Sequence, residues 1–250
     1  MKLSELSEYL DGYLRVAEVP DYPPALNGLQ VENSGRVSRI AAAVDATRRT
    51  IDAAAERGAD LLLVHHGLFW DGNRPVTGRR YRRLKLAFDA GLAVYASHLP
   101  LDVHPEVGNN AVLARELGIE PEGRFGEYQG CPLGVWGRLE TGREQLTSRL
   151  AELLGGRVKV VPGGPELMRT VGVITGGAGG EVRAAREAGL DGFITGEGAH
   201  HHYFDAEEDG VNLFLGGHYA TEVWGVKRLA AHLEEEFGLP WSFLDFPTGL

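Results

Sequence analysis

The stretch Asp60-Leu61-Leu62-Leu63-Val64-His65-His66 decides the fold. A continuous apolar run that ends in polar residues describes a strand covered on both faces, as in a parallel sheet flanked by helices. Gly58, just before it, ends a helix near Thr47–Arg57. That helix buries Ile51 and Ala54, and Asp45 and Thr47 are placed to cap it. Val37–Val44 is the strand upstream. A basic helix near Arg79–Ala90, a strand at Leu92–Ala96 and a helix near Glu106–Leu117 follow. The polar, Gly-containing segment Pro121–Gly130 reads as a boundary, which predicts halves 1–125 and 126–250. Beyond it, strands are expected near Pro132–Leu139, Val158–Val161, Val171–Thr175, Gly192–Ile194 and Val211–Leu215. Helices are expected near Arg143–Leu154, Glu181–Ala188 and Thr221–Phe237. The alternation predicts an α/β protein of two related halves with mainly parallel sheets covered by helices.

The halves echo one another. Gly58-Ala59-Asp60, its strand and His65-His66 fall in step with Gly189-Leu190-Asp191, its strand and Gly196-Glu197, so Glu197 matches His66. Likewise His98 with Asp102 echoes His218 with Glu222. A duplication would turn corresponding strand ends towards a shared cleft; chance similarity between βα units is the competing explanation.

Composition narrows the function classes. The 250 residues carry 25 Lys+Arg against 35 Asp+Glu, a net charge of −10. That balance opposes a broad nucleic-acid footprint and docking on anionic membranes. Only arginines such as those of Arg79-Arg80-Tyr81-Arg82-Arg83, lining a ring opening, would restore a nucleic-acid reading. No apolar run is long enough for a membrane helix, and the N-terminus lacks the apolar core of a signal peptide. The single cysteine, Cys131, rules out an intramolecular disulfide framework and a cysteine-rich zinc site. The expected compartment is the cytoplasm.

Three histidine and carboxylate clusters sit at strand ends. Neighbouring side chains on a strand point to opposite sides, so His65 and His66 serve one site only if the chain turns there or if the site holds two ions. Otherwise one faces solvent and the other packs. Pro100 interrupts regular helix between His98 and Asp102, which predicts a loop there; Asp102 is either a ligand or a turn and capping residue. After Gly216-Gly217, His218 and Glu222 share one face of a helix start, unless Glu222 serves only the helix dipole. Imidazole and carboxylate donors without cysteine suit divalent zinc, iron or manganese. Five donors exceed one tetrahedral ion, and a carboxylate such as Glu222 can bridge two. His200-His201-His202 reads as a partly solvated helix start. Gly176-Gly177-Ala178-Gly179-Gly180 reads as a close-packed turn, because it lacks the lysine and hydroxyl of a P-loop.

The chain resembles the dinuclear metal centre proteins of the NIF-three type, also labelled GTP cyclohydrolase 1 type 2 homologues. The resemblance rests on Asn27-Gly28-Leu29-Gln30-Val31, on Gly58 through Trp70, on Ser97 through Asn110, and on Gly217-His218-Tyr219-Ala220-Thr221-Glu222 with Gly225-Val226. It departs at Gly67, where a proline is usual, and at Leu99-Pro100, where the pair is usually more polar. The resemblance implies two intertwined α/β domains and a hexameric ring. It also implies two divalent ions per subunit held by His65, His66, Asp102, His218 and Glu222, with Glu222 bridging. The expected activity is metal-assisted hydrolysis of a small molecule or nucleotide, either GTP ring opening or phosphoester cleavage, with His98 or Glu197 shuttling the proton. The competing class is a non-enzymatic ring protein that binds metal or a partner.

Overall fold

The computed structural model describes residues 1–70, 72 and 74–249. In chain order the elements are α1 (Leu3–Tyr13), β1 (Gly28–Val31), β2 (Ile40–Asp45), α2 (Arg48–Glu56), β3 (Leu61–His66), α3 (Gly78–Asp89), β4 (Ala93–Ala96), α4 (Leu99–Asp102) and α5 (Asn109–Glu116). They continue with β5 (Gly123–Tyr128), β6 (Cys131–Gly142), α6 (Arg143–Leu154), β7 (Lys159–Pro162), β8 (Leu167–Val173), α7 (Val182–Glu187), β9 (Gly192–Thr195), α8 (His202–Asp209), β10 (Asn212–Leu215), α9 (His218–Phe237) and β11 (Trp241–Phe243).

Contacts group these elements into two units. The first comprises Met1–Val107 and Gly225–Phe246; the second is built on Gly108–Trp224. The boundary expected at 125/126 falls inside β5, which pairs with β6 through a tight turn at Gln129 and Gly130. Polarity and glycine there mark a hairpin, not a linker. The chain also leaves the second unit within α9, whose apolar periodicity runs unbroken past Trp224.

The first sheet has the order β1-β4-β3-β2-β11. Its β4, β3, β2 and β11 are parallel, and only β1 is antiparallel. Alternation along β3 feeds two cores. Leu61 and Leu63 pack with Leu6, Leu10, Val226 and Leu229, while Leu62 and Val64 pack with Ile51, Ala54, Leu84 and Ala87. All four β3 side chains are buried, each contributing roughly 1.5–3 kcal/mol. This is the doubly covered strand that the sequence predicts.

The second sheet has the order β5-β6-β8-β9-β10-β7. β8, β9 and β10 are parallel, but β5, β6 and β7 join antiparallel, so this sheet is mixed and not mainly parallel. Val171, Val173, Ile194 and Phe214 pack on one face with Leu113 of α5, its C-cap Leu117, and Leu146 and Leu150 of α6. No helix among the described residues is long and apolar enough to cross a membrane.

Both units are built on one motif. Asp60 Oδ2 accepts from the backbone N–H groups of Ser38 (2.7 Å) and Arg39 (3.1 Å), just before β2. Asp191 Oδ2 accepts from those of Arg169 (2.7 Å) and Thr170 (3.2 Å) in β8. The registers agree. Ile40, Leu61 and Ala93 align across the first sheet, as Val171, Gly192 and Asn212 do across the second. The aspartate after the turn glycine therefore ties each strand to its neighbour, which explains the recurrence of Gly-x-Asp.

Candidate metal centre

In the first unit the donors lie at the ends of β3 and β4. His65 is fully buried, and its Nδ1 lies 2.9 Å from the Ser97 carbonyl oxygen. A carbonyl only accepts, so Nδ1 carries a hydrogen and, in the neutral ring, Nε2 carries the lone pair. That Nε2 faces Asp102 Oδ2 at 3.6 Å. His66 Nδ1 lies 2.9 Å from Asp45 Oδ1, and His98 Nδ1 lies 2.8 Å from Asp21 Oδ1. Each imidazole thus has one nitrogen held by an oxygen acceptor, which fixes the orientation of the ring and leaves the other nitrogen facing away from that acceptor. Metal-binding histidines are held in this way.

The ring centroids of His65 and His66 are 4.6 Å apart, and His98 lies 5.0 Å from His65. The three histidines offer donor atoms within 4.8 Å of one another. The chain turns after His66, which lets side chains from opposite faces of β3 meet. Gly67 makes that turn compact: a Cβ there would lie 2.2 Å from Gln30 Nε2 and 2.7 Å from Ala96 Cβ. Gln30 Oε1 instead accepts from Leu68 N–H at 2.6 Å. The space that a side chain at this position would need is thereby taken by the glutamine.

Asp102 is buried at the end of α4. The sequence reading predicted a loop there. Pro100 instead occupies the first turn of this short helix, where no intrahelical N–H bond is lost. Asp45 does not cap α2; Thr47 does, accepting from Thr50 N–H at 3.3 Å. Asp45 is left to hold His66.

In the second unit, α9 begins at His218, so His218 and Glu222 are one turn apart. His218 Nε2 lies 3.1 Å from Glu222 Oε1, and its Nδ1 lies 2.9 Å from Glu197 Oε1. The hydrogen bond to Glu222 is the largest cause that raises the imidazole pKa to about 9. Burial opposes it, and the charges of Glu222 and Glu197 add to it. Glu222 is buried, whereas the Glu197 side chain is 54% exposed. The backbone gives way to this pair at Gly176, which has φ +69°; a Cβ there would lie 2.1 Å from Glu222 Oε1. Gly176-Gly177 is therefore a fitted seat for the carboxylate. The sequence reading saw a close-packed turn here but not what packs into it.

The register also corrects one echo. Ser97 N–H donates to Val64 O, and Gly216 N–H donates to Thr195 O. His98 is thus equivalent to Gly217, one residue before His218. The predicted match of Glu197 with His66 holds in this register. Asp21 and Asp45 as ring-holding acceptors were missed, because their partners lie 77 and 21 residues away. Elsewhere, His201, His202 and Asp205 lie within reach of one ion at the start of α8. They are exposed or half-buried, and His202 Nδ1 accepts from Ala199 N–H at 3.0 Å.

Comparison with known proteins places the chain in a family. The family described as Duf34/NIF3 (NGG1p interacting factor 3) matches residues 1–248. The chain is 48% identical over 248 residues to a GTP cyclohydrolase 1 type 2 homolog of Deinococcus radiodurans, covering 98% of this chain and 94% of that one. Among solved structures, a protein ybgI of unknown function superimposes with a TM-score of 0.93 at 37% identity, over the whole of both chains. TTHA1606 from Thermus thermophilus superimposes with a TM-score of 0.89 at 44% identity, also over the whole of both.

Proposed function

The chain belongs to the Duf34/NIF3 family, and from that premise we propose that it is a dinuclear metal centre protein that hydrolyses a small molecule or nucleotide. His65, His66 and Asp102 of the first unit and His218 and Glu222 of the second would hold the two divalent ions, with Glu222 bridging. One observation carries the reading: His65, His66 and His218 each have Nδ1 against an oxygen acceptor. This is the arrangement that presents Nε2 to a cation. The seat that Gly176 leaves for Glu222 points the same way. Imidazole with carboxylate suits zinc, iron or manganese.

When bound, such ions supply Lewis acidity to a substrate carbonyl, ring carbon or phosphoryl group. The chain's own residues do the rest. Asp45, Asp21 and Glu197 hold the rings in place. His98, backed by Asp21, is the candidate to take or deliver a proton at Nε2, and the exposed Glu197 is the candidate to exchange one with solvent. The reading extends to a hexameric ring, as the resemblance implies, and to the cytoplasm, as the single cysteine suggests.

Elemental analysis of the purified protein tests the centre. About two equivalents of divalent metal are expected, and both His65→Ala and Glu222→Ala should disturb the whole complement, because the bridge is shared. Loss of one ion in each variant with the other untouched would mean two separate sites. Metal-dependent turnover is then sought across nucleotides and phosphoesters. A fully loaded protein inert towards all of them would support the binding-only class.

A further inference from the structure

Beside the first donor cluster lies a cavity of about 230 Å³, lined among others by Trp70, Thr77, Arg79, Arg80 and Arg83. No acidic side chain lines it among the described residues. Several guanidinium groups gathered around one concavity repel each other, and a bound anion would relieve that repulsion. Two of them are incompletely satisfied: the buried Nε atoms of Arg80 and Arg83 have no hydrogen-bond partner. Arg80 is held in place by other means. Its Nη1 donates to the Arg74 carbonyl at 3.0 Å, and its guanidinium stacks 4.8 Å from the centre of the Phe69 ring. The group is therefore preorganised with a donor left over.

The cavity also has a fixed relation to the donors of its own unit. Trp70 stands edge-on to His98 and His66, with ring centroids 4.7 and 5.8 Å apart. Arg83 is close enough to feel the charge of Asp45, the carboxylate that holds His66.

We propose that this arginine cavity is the subsite for the phosphate group of a phosphorylated small-molecule substrate. It would anchor the phosphate while the reacting part lies over the His65–His66–His98 cluster. This deepens the hydrolase reading and rests on it. Guanidinium forks match phosphate oxygens in geometry as well as charge. A concavity of this size admits one phosphoryl group or two, whereas a nucleic-acid strand needs an extended track of cations.

Calorimetric titration with inorganic pyrophosphate tests the subsite, using whole protein stripped of metal by a chelator so that no ion can hold the probe. Pyrophosphate should bind the stripped protein. Arg79→Gln and Arg83→Gln should each weaken binding about tenfold. Arg82→Gln, on the same helix but outside the cavity, should leave it unchanged. Arg79 is exposed, so its variant keeps the test valid even if Arg83→Gln misfolds. Absence of binding, or an equal loss in Arg82→Gln, overturns the proposal, the latter because it marks a diffuse charge effect. Neither result bears on metal content or turnover. Conversely, intact pyrophosphate binding in a protein with no turnover would count against the hydrolase reading alone.

Discussion

The parallel core β2-β3-β4 and the parallel core β8-β9-β10 share a register, a Gly-x-Asp turn and the same tie between strands, yet they end in different chemistry. At the end of β2 stands Asp45; its counterpart after β8 is Gly176. At the end of β3 stands His66; its counterpart is Glu197. In the first unit the carboxylate comes from the earlier strand and holds an imidazole from the next. In the second, the earlier position has lost its side chain altogether, making room for Glu222, and the next position supplies the carboxylate that holds His218. The framework fixes where a strand ends. Which residue donates and which one orients is then open to exchange, provided each imidazole keeps one acceptor.

The largest test of this comparison exchanges the side-chain requirement. Gly176→Val introduces a Cβ where Glu222 Oε1 now sits and forces a branched residue to φ +69°. We expect a loss of roughly 3 kcal/mol in urea denaturation, from strain and overpacking together, with metal content falling in the same protein. Asp45→Gly, the reciprocal change, should fold with a smaller loss, because no contact is overfilled. Equal losses in the two variants would mean that the seat for Glu222 is not what distinguishes the units.

Next in size is the effect of the ring-holding acceptors on metal affinity. Asp45→Asn should weaken it about 10–100-fold in competition with a chromophoric chelator, the usual cost of losing such a partner. Glu197→Gln should act in the same direction but less, since the Glu197 side chain is 54% exposed and Asp45 36%. A larger effect for Glu197 would reverse the ranking and give it a role beyond holding His218.

These partners also mark the limit of what the sequence reveals. The parallel strands were legible because a strand buried on both faces is a continuous apolar run, as in Leu61–Val64. The face shared by His218 and Glu222 was legible because helical spacing is local. β1, β5 and β11 were not, because these edge strands show no regular alternation of burial: Gly28–Val31 is buried at its two ends and half-buried between them, and Trp241–Phe243 is half-buried throughout. Nor was the pairing of Asp21 with His98, which only tertiary contact creates. Pro100 misled because the same residue that breaks a helix interior fits its first turn. The boundary at 125/126 misled because a hairpin and a linker share polar and glycine-rich composition.

The smallest expected effect separates the units by pH in the metal-stripped protein. In the second unit the His218 pKa is raised from 6.5 to about 9, first by its bond to Glu222. The folded state thus holds a proton that the unfolded chain releases. The stabilisation is complete below pH 6.5 and is lost as pH rises through about 9. With the His218 side chain 31% exposed, solvent screening leaves about 1 kcal/mol. In the first unit the Asp21–His98 dyad behaves oppositely. Burial pushes the Asp21 carboxyl up, but its bonds to His98 and Asn27 outweigh that and leave its pKa below the ordinary value. Its contribution is present above about pH 4 and is lost as pH falls. Urea midpoints of the stripped protein should therefore decline towards alkaline pH through the second unit and towards acid through the first. His218→Gln should flatten only the alkaline limb, and Asp21→Asn only the acid one. If either variant flattened both limbs, the two dyads would have to titrate as one coupled system, and the independence of the two donor clusters in the absence of metal would be lost.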